Sequence, residues 1–124
     1  MSIEFKQVSF NTLRQYISGR RMFYNCRLNL WRDYVLSVGV FYKGFLCGGV
    51  LVSRMGEDCK IETWYSREDR KKLELLDYAV NLIRLLGFNK VYLSIQKKWL
   101  ALLLEQGWKT EGKMLFRMIG DKNE

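Results

Sequence analysis

The sequence predicts a single α/β (α+β) domain spanning residues 1–124, with a mixed, mostly antiparallel sheet flanked by helices. Three observations predict it. The β-rich runs VLSVGVFY and FLCGGVLVS meet at Lys43-Gly44, a hairpin signal. The stretch KIETWYSREDRKKLELLDYAVNLIRLLG, residues 60–87, passes from strand through a polar turn into the longest amphipathic helix of the chain. A short loop then reaches KVYLSI. Strand, helix and strand joined this tightly imply a parallel or near-parallel crossover unit at the centre of the fold.

The elements follow in order. Residues 3–8 (IEFKQV) alternate apolar and polar and read as a first strand. Ser9 and Asn11 can cap a short helix carrying Leu13, Tyr16 and Ile17, which ends near Gly19. Residues 19–34, GRRMFYNCRLNLWRDY, interleave Arg20, Arg21, Arg27 and Arg32 with Phe23, Tyr24, Trp31 and Tyr34. That mixture suits stacked bases and neutralised phosphates. It equally suits an amphipathic helix with its aromatic side in the core, and helical spacing accounts for Phe23, Leu30, Trp31 and Tyr34 without a ligand. Gly48 and Gly49 inside the second β-rich run suggest a bulge or a close backbone approach.

After the turn RMGED, residues 59–65 form the third strand of the meander. Ser66 is the expected N-cap of the long helix, and Asp69 three residues on approximates a capping box. Leu73, Leu76, Ala79, Val80, Ile83 and Leu86 fall at helical spacing, and Gly87 ends the helix. Residues 90–95 are a strand, WLALLLEQ is a short apolar helix closed by Gly107, and residues 108–119 are strand-like with a turn at Glu111-Gly112.

Composition removes several function classes. The chain has no histidine, so a His-based triad, a His general base and the common His-metal sites are excluded. Three cysteines without CxxC spacing argue against a disulfide framework and a thiolate zinc site, and no metal is expected. MSIEFKQVSF lacks the apolar core of a signal peptide, and no apolar run is long enough to span a membrane. The expected location is the cytoplasm, or a particle assembled there. A net charge of +8 favours acidic partners such as nucleotides, a phosphate-rich cofactor or nucleic acid, and equally serves solubility.

The order of elements resembles the GCN5-related N-acetyltransferase (GNAT) superfamily over nearly the whole chain, best from Phe41 to Met118. YKGFLCGGVLVSR looks like the family's hairpin. LLDYAVNLIRLLGFNKVYLSI is similar to its central helix and following strand, and LLLEQGWKTEGKMLFRMI to its closing helix and strand. The resemblance implies a cofactor motif, Arg/Gln-x-x-Gly-x-Gly/Ala, on the turn into the long helix. There, glycines let backbone N–H groups reach the pyrophosphate of an acyl-CoA, and the helix dipole adds positive charge.

Anchored on Gly87, the matching segment is Arg67-Glu68-Asp69-Arg70-Lys71-Lys72. Arg67 keeps the leading basic residue, but Arg70 and Lys72 stand where glycines belong. A register led by Arg70 puts Leu73 and Leu75 there instead. Either Arg70, Lys71 and Lys72 hold phosphates as side-chain cations, or they are ordinary charges on a helix start, beside Glu68 and Asp69.

The family's general-acid tyrosine falls at Leu103, which has no proton to give, and its asparagine at Gln96. Glu62 is the candidate general base, against a plain reading as an exposed strand residue alternating with Ile61 and Thr63. Tyr65 and Tyr92 are the substitutes for the acid, and Trp64 lies where strand backbone would pair with the pantetheine arm. Trp64, Trp99 and Leu103 are expected to occupy much of the space a cofactor needs.

Three functions follow. The first is a non-catalytic structural or partner-binding module without a cofactor, of a kind that the resemblance also connects with bacteriophage virions. The second is an N-acetyltransferase using acetyl-CoA through an atypical loop, with Trp64, Arg67, Arg70, Lys71, Lys72 and Gln96 as cofactor contacts. The third is a nucleic-acid-binding module using Arg20, Arg21, Arg27 and Arg32 together with the cluster 67–72.

Overall fold

The β-branched runs do form strands, and they pair into one sheet. In the computed structural model, which describes residues 3–18 and 33–120, the strands are β1 (Ile3–Gln7), β2 (Tyr34–Tyr42), β3 (Phe45–Met55), β4 (Asp58–Ser66), β5 (Lys90–Ser94), β6 (Lys109–Glu111) and β7 (Met114–Met118). Their order is β1-β2-β3-β4-β5-β7-β6. Every neighbouring pair is antiparallel except β4–β5, which is parallel, so the predicted crossover unit sits at the centre. Helices α1 (Phe10–Ser18), α2 (Asp69–Leu85) and α3 (Leu100–Glu105) flank the sheet. No helix among the described residues is long and apolar enough to cross a membrane.

The apolar stripe of α2 explains the main core. Leu75, Leu76, Ala79, Val80 and Ile83 are buried in one cluster with Val38, Val50, Ile61, Val91 and Leu93 of the sheet. Each leucine, isoleucine or valine among them contributes roughly 1.5–3 kcal/mol when fully buried. Leu103 and Trp108 bring α3 and the final hairpin into the same cluster. On the opposite side Leu13 of α1 packs on Leu51, and a Cβ at Gly49 would come within 2.6 Å of the Leu13 side chain.

The helix stops agree with the sequence. Gly87 (φ 96°) and Gly107 (φ 98°) take the left-handed conformation. The N–H groups of Gly87 and Phe88 donate to Arg84 and Ile83, and those of Gly107 and Trp108 to Leu104 and Leu103. This is the Schellman pattern at both helix ends. Ser9 caps α1 as expected, accepting the Thr12 N–H at 3.1 Å.

The start of α2 differs from expectation. Its N-cap is Glu68, not Ser66. Pairing with β3 continues past Ser66, because Arg67 N–H donates to the Cys47 carbonyl at 3.2 Å. The buried Ser66 hydroxyl accepts Glu68 N–H at 3.3 Å, so it ends the strand instead of opening the helix. Tyr34 also differs. It begins β2 and stacks on Phe10 at 4.6 Å, so it is not the end of a preceding helix.

Both readings of Gly48-Gly49 hold. Val40 lies opposite Gly48 and Phe41 opposite Leu46, which leaves Cys47 as a bulged residue. A Cβ on Gly48 would run into the Tyr65 carbonyl of β4.

Candidate functional site

The centre of the sheet contains a divergence between two parallel strands. β4 and β5 pair only at Cys59↔Val91, Lys60↔Tyr92 and Ile61↔Leu93. β4 then runs on to Ser66 while β5 ends at Ser94. A bulge marks the parting point. Thr63 faces Leu51 and Ile61 faces Val52, so Glu62 is the extra residue, and a bulge sharpens the local twist.

Side chains from β4, the start of α2 and the β5–α3 connection come together past the parting point. Trp64 of β4 is buried, and its ring lies 5.9 Å from that of Trp99, at the start of α3. The Trp64 indole N–H donates to the Lys72 carbonyl in the first turns of α2 at 2.8 Å. The Lys72 ammonium sits 4.5 Å from the Trp64 ring centroid and 5.5 Å from that of Trp99. It also donates to Gln96 Oε1 at 3.1 Å. A cation over two indole faces is attracted by both ring quadrupoles. Burial nonetheless lowers the Lys72 pKa from the ordinary lysine value, with the Asp69 carboxylate acting against that shift.

A second crossing closes the rim, where Lys98 donates to Asp69. That hydrogen bond holds the Asp69 carboxyl below its usual pKa. Together the two contacts join the start of α2 to the connection between β5 and α3.

The residues assigned from sequence therefore separate. Trp64, Lys72 and Gln96 come together with Trp99. Arg67, Arg70 and Lys71 do not join them. Arg70 is 91% exposed and pairs with Glu68 at 3.7 Å, Lys71 pairs with Glu74 at 3.2 Å, and Arg67 is exposed. Leu103 is fully buried in the main core. Tyr92 donates its hydroxyl to Glu111 at 3.1 Å, and Tyr65 packs on the Leu13–Leu51 cluster.

Glu62 is not the exposed strand residue of the plain reading. Its side chain is 15% exposed, accepts the Ser53 hydroxyl proton at 2.6 Å and lies 3.9 Å from the Lys60 ammonium. The bulge breaks the alternation on which that reading rested. Arg20, Arg21, Arg27 and Arg32 lie outside the described residues. Among the described residues no cluster of three or more potential ligands could hold a metal ion.

No protein-family model matches the sequence, and no curated protein matches it by sequence. Solved structures do match. The ribosomal-protein-S18-alanine N-acetyltransferase of Escherichia coli superposes with a TM-score of 0.73 at 10% identity, covering 99% of this chain and 97% of that one. The chain has the GNAT fold. The PaiA N-acetyltransferase of Thermoplasma acidophilum, solved in complex with coenzyme A, superposes with a TM-score of 0.64 at 14% identity over 95% of this chain and 99% of that one. A GNAT-family acetyltransferase of Staphylococcus aureus Mu50 gives 0.65 at 11% identity over 95% and 99%. The family resemblance in the sequence is thus met at the level of fold.

The coenzyme A of the Thermoplasma acidophilum structure can be tested for fit against these residues. Arg70 and Lys72 occupy the glycine positions, Glu68 and Asp69 place negative charge at the helix start, and Arg67 N–H is already bonded to Cys47. Past the strand parting, two indoles and an ammonium pack together. The glycines that would let backbone N–H groups approach a pyrophosphate are absent from this turn.

Proposed function

We propose that this chain is a GNAT-fold module that engages a protein partner or assembly and does not transfer acyl groups. One observation carries the reading: Trp64 and Trp99 pack against each other where β4 and β5 part, and the Lys72 ammonium lies over both rings and donates to Gln96. The acids at the start of α2 support it, since they complement the helix dipole and repel a pyrophosphate. So does Leu103, which has no proton to donate. Isothermal titration of the full chain with acetyl-CoA and desulfo-CoA tests it, and the expected result is no heat at millimolar ligand. Micromolar binding that weakens on Arg70→Glu with Lys72→Glu overturns it.

A second reading, an acetyl-CoA-dependent N-acetyltransferase, is favoured by Glu62. Its mostly buried carboxylate, held by Ser53 beside the bulge, has the character of a general base. In that reading Lys72 leaves the indoles and joins Arg70 and Lys71 in holding phosphates. Positive titration and loss of acetyl transfer to amines in Glu62→Gln would establish it.

A further inference from the structure

A cavity of about 650 Å³ opens beside the β2–β3 turn and the start of α2. Ile3, Tyr42, Phe45, Leu46 and Cys47 form its apolar walls, and Lys43, Arg67 and Glu68 its charged rim. No residue of β5 or α3 lines it, so it is separate from the Trp64–Trp99 cluster. The local chemistry explains why it exists. The bulge at Cys47 disturbs the β2–β3 ladder next to the turn at Lys43 and Gly44, both of which have positive φ. Arg67 and Glu68, the residues between β4 and the start of α2 at Asp69, complete the rim.

Its surface has two parts. The apolar part includes Phe45, which is 76% exposed although it is a large aromatic ring. The Cys47 thiol adds to this part, because burial raises its pKa and keeps it neutral, with the Arg67 charge only partly opposing. The charged part is net positive. Glu68 pairs with Arg70, whereas Arg67 has no carboxylate partner among the described residues. The Lys43 ammonium lies 5.5 Å from the Tyr42 ring centroid at the same rim. Sites for small molecules are concave, mostly apolar, and of roughly 300–1,000 Å³, with a few polar groups that fix orientation.

We propose that this cavity binds an amphipathic monoanion of the fatty-acid carboxylate class. The tail lies along Leu46, Phe45 and Tyr42, and the carboxylate faces Arg67 and Lys43. An acyl-CoA is not required, so the site stands or falls independently of the module reading above.

Cys47 provides the readout, since a tail in the cavity shields its thiol. The full-length protein is treated with N-ethylmaleimide, alone and with dodecanoate or dodecyltrimethylammonium below their micelle concentrations. Peptide mapping follows alkylation at Cys47, with the fully buried Cys59 as the internal reference for unfolding. Dodecanoate is expected to slow Cys47 alkylation saturably while the cationic amphiphile does not. Arg67→Glu combined with Lys43→Asn, two exposed changes of which the second tolerates positive φ, is expected to weaken the dodecanoate effect about ten-fold. Absence of saturable protection overturns the proposal. Equal protection by the cation, or an unchanged midpoint in the double variant, overturns it as well.

Discussion

If the space between β4 and β5 is packed core, removing Trp99 must cost what core removal costs. Trp99 is 9% exposed, packs at a tilt against Trp64 and carries the Lys72 ammonium against its face. Truncating a buried tryptophan to alanine costs about 3–5 kcal/mol through lost transfer energy and the residual cavity. That figure includes about 0.5–1.5 kcal/mol for the indole pair and about 1 kcal/mol for the cation. A 124-residue domain holds roughly 6–19 kcal/mol in total, so Trp99→Ala should still fold. In urea the midpoint should fall by about 2 M with an unchanged slope. Leu102→Ala, on the exposed side of α3, is the control and should stay within about 0.5 kcal/mol of the parent. A loss below about 1.5 kcal/mol for Trp99→Ala would refute the reasoning. The indole would then be a loosely held gate, and the case against a cofactor would go with it.

Three further outcomes follow from the same packing. Gly48→Ala drives a Cβ into the Tyr65 carbonyl and should cost about 1–3 kcal/mol or more by thermal melting, whereas Gly44→Ala meets no atom and pays only for its positive φ. Trp64→Phe should cost about 1 kcal/mol more than Trp108→Phe by urea unfolding, because the Trp64 N–H donates at 2.8 Å while the Trp108 N–H finds no acceptor among the described residues. Burial pushes the Cys59 thiol from 9.0 up to about 12, so the fold favours its neutral form. The stability it contributes is complete below the unfolded value and is lost as pH rises from there toward the folded one, by at most about 1.4 kcal/mol per pH unit. Cys59→Val should flatten that alkaline loss in a series of urea midpoints from pH 8 upward.

The architecture was legible because it rests on short-range signals. The Lys43-Gly44 hairpin and the stops at Gly87 and Gly107 each occupy a few adjacent residues and appear where the sequence places them. In the α2 stripe, by contrast, Leu75 is buried and the expected Leu86 is the exposed C-cap. The site was less legible because its contacts span the chain. Nothing near Lys72 in sequence indicates that its ammonium meets Gln96, and nothing near Asp69 points to Lys98. The Glu62 bulge has no local signature, and without it the strand reads as simple alternation. The cavity beside Cys47 draws residues from β1, the β2–β3 turn and the start of α2, and only the folded sheet assembles them. The tryptophans were the exception. The sequence grouped Trp64, Trp99 and Leu103, and in the fold the two rings lie 5.9 Å apart with Leu103 buried in the same core cluster.

Position 72 joins the two halves of the problem. In the register led by Arg67 it is a glycine position of the phosphate-binding turn, and here it supplies the ammonium that lies over both indoles. The same residue thus bears on both the turn and the indole cluster. Restoring glycine should still not restore a cofactor site. The Trp64 N–H is bonded to the main-chain carbonyl of residue 72, which no side-chain change removes, and the Trp64–Trp99 pair does not depend on the ammonium for its place. Lys72→Gly should therefore lose about 1 kcal/mol of helix stability and bind no acetyl-CoA in a calorimetric titration. Adding Arg70→Gly and Trp99→Ala should open the space that the single change leaves filled. Micromolar binding by Lys72→Gly alone would mean that the lysine was the sole barrier, and that the indoles line a cofactor path instead of blocking it.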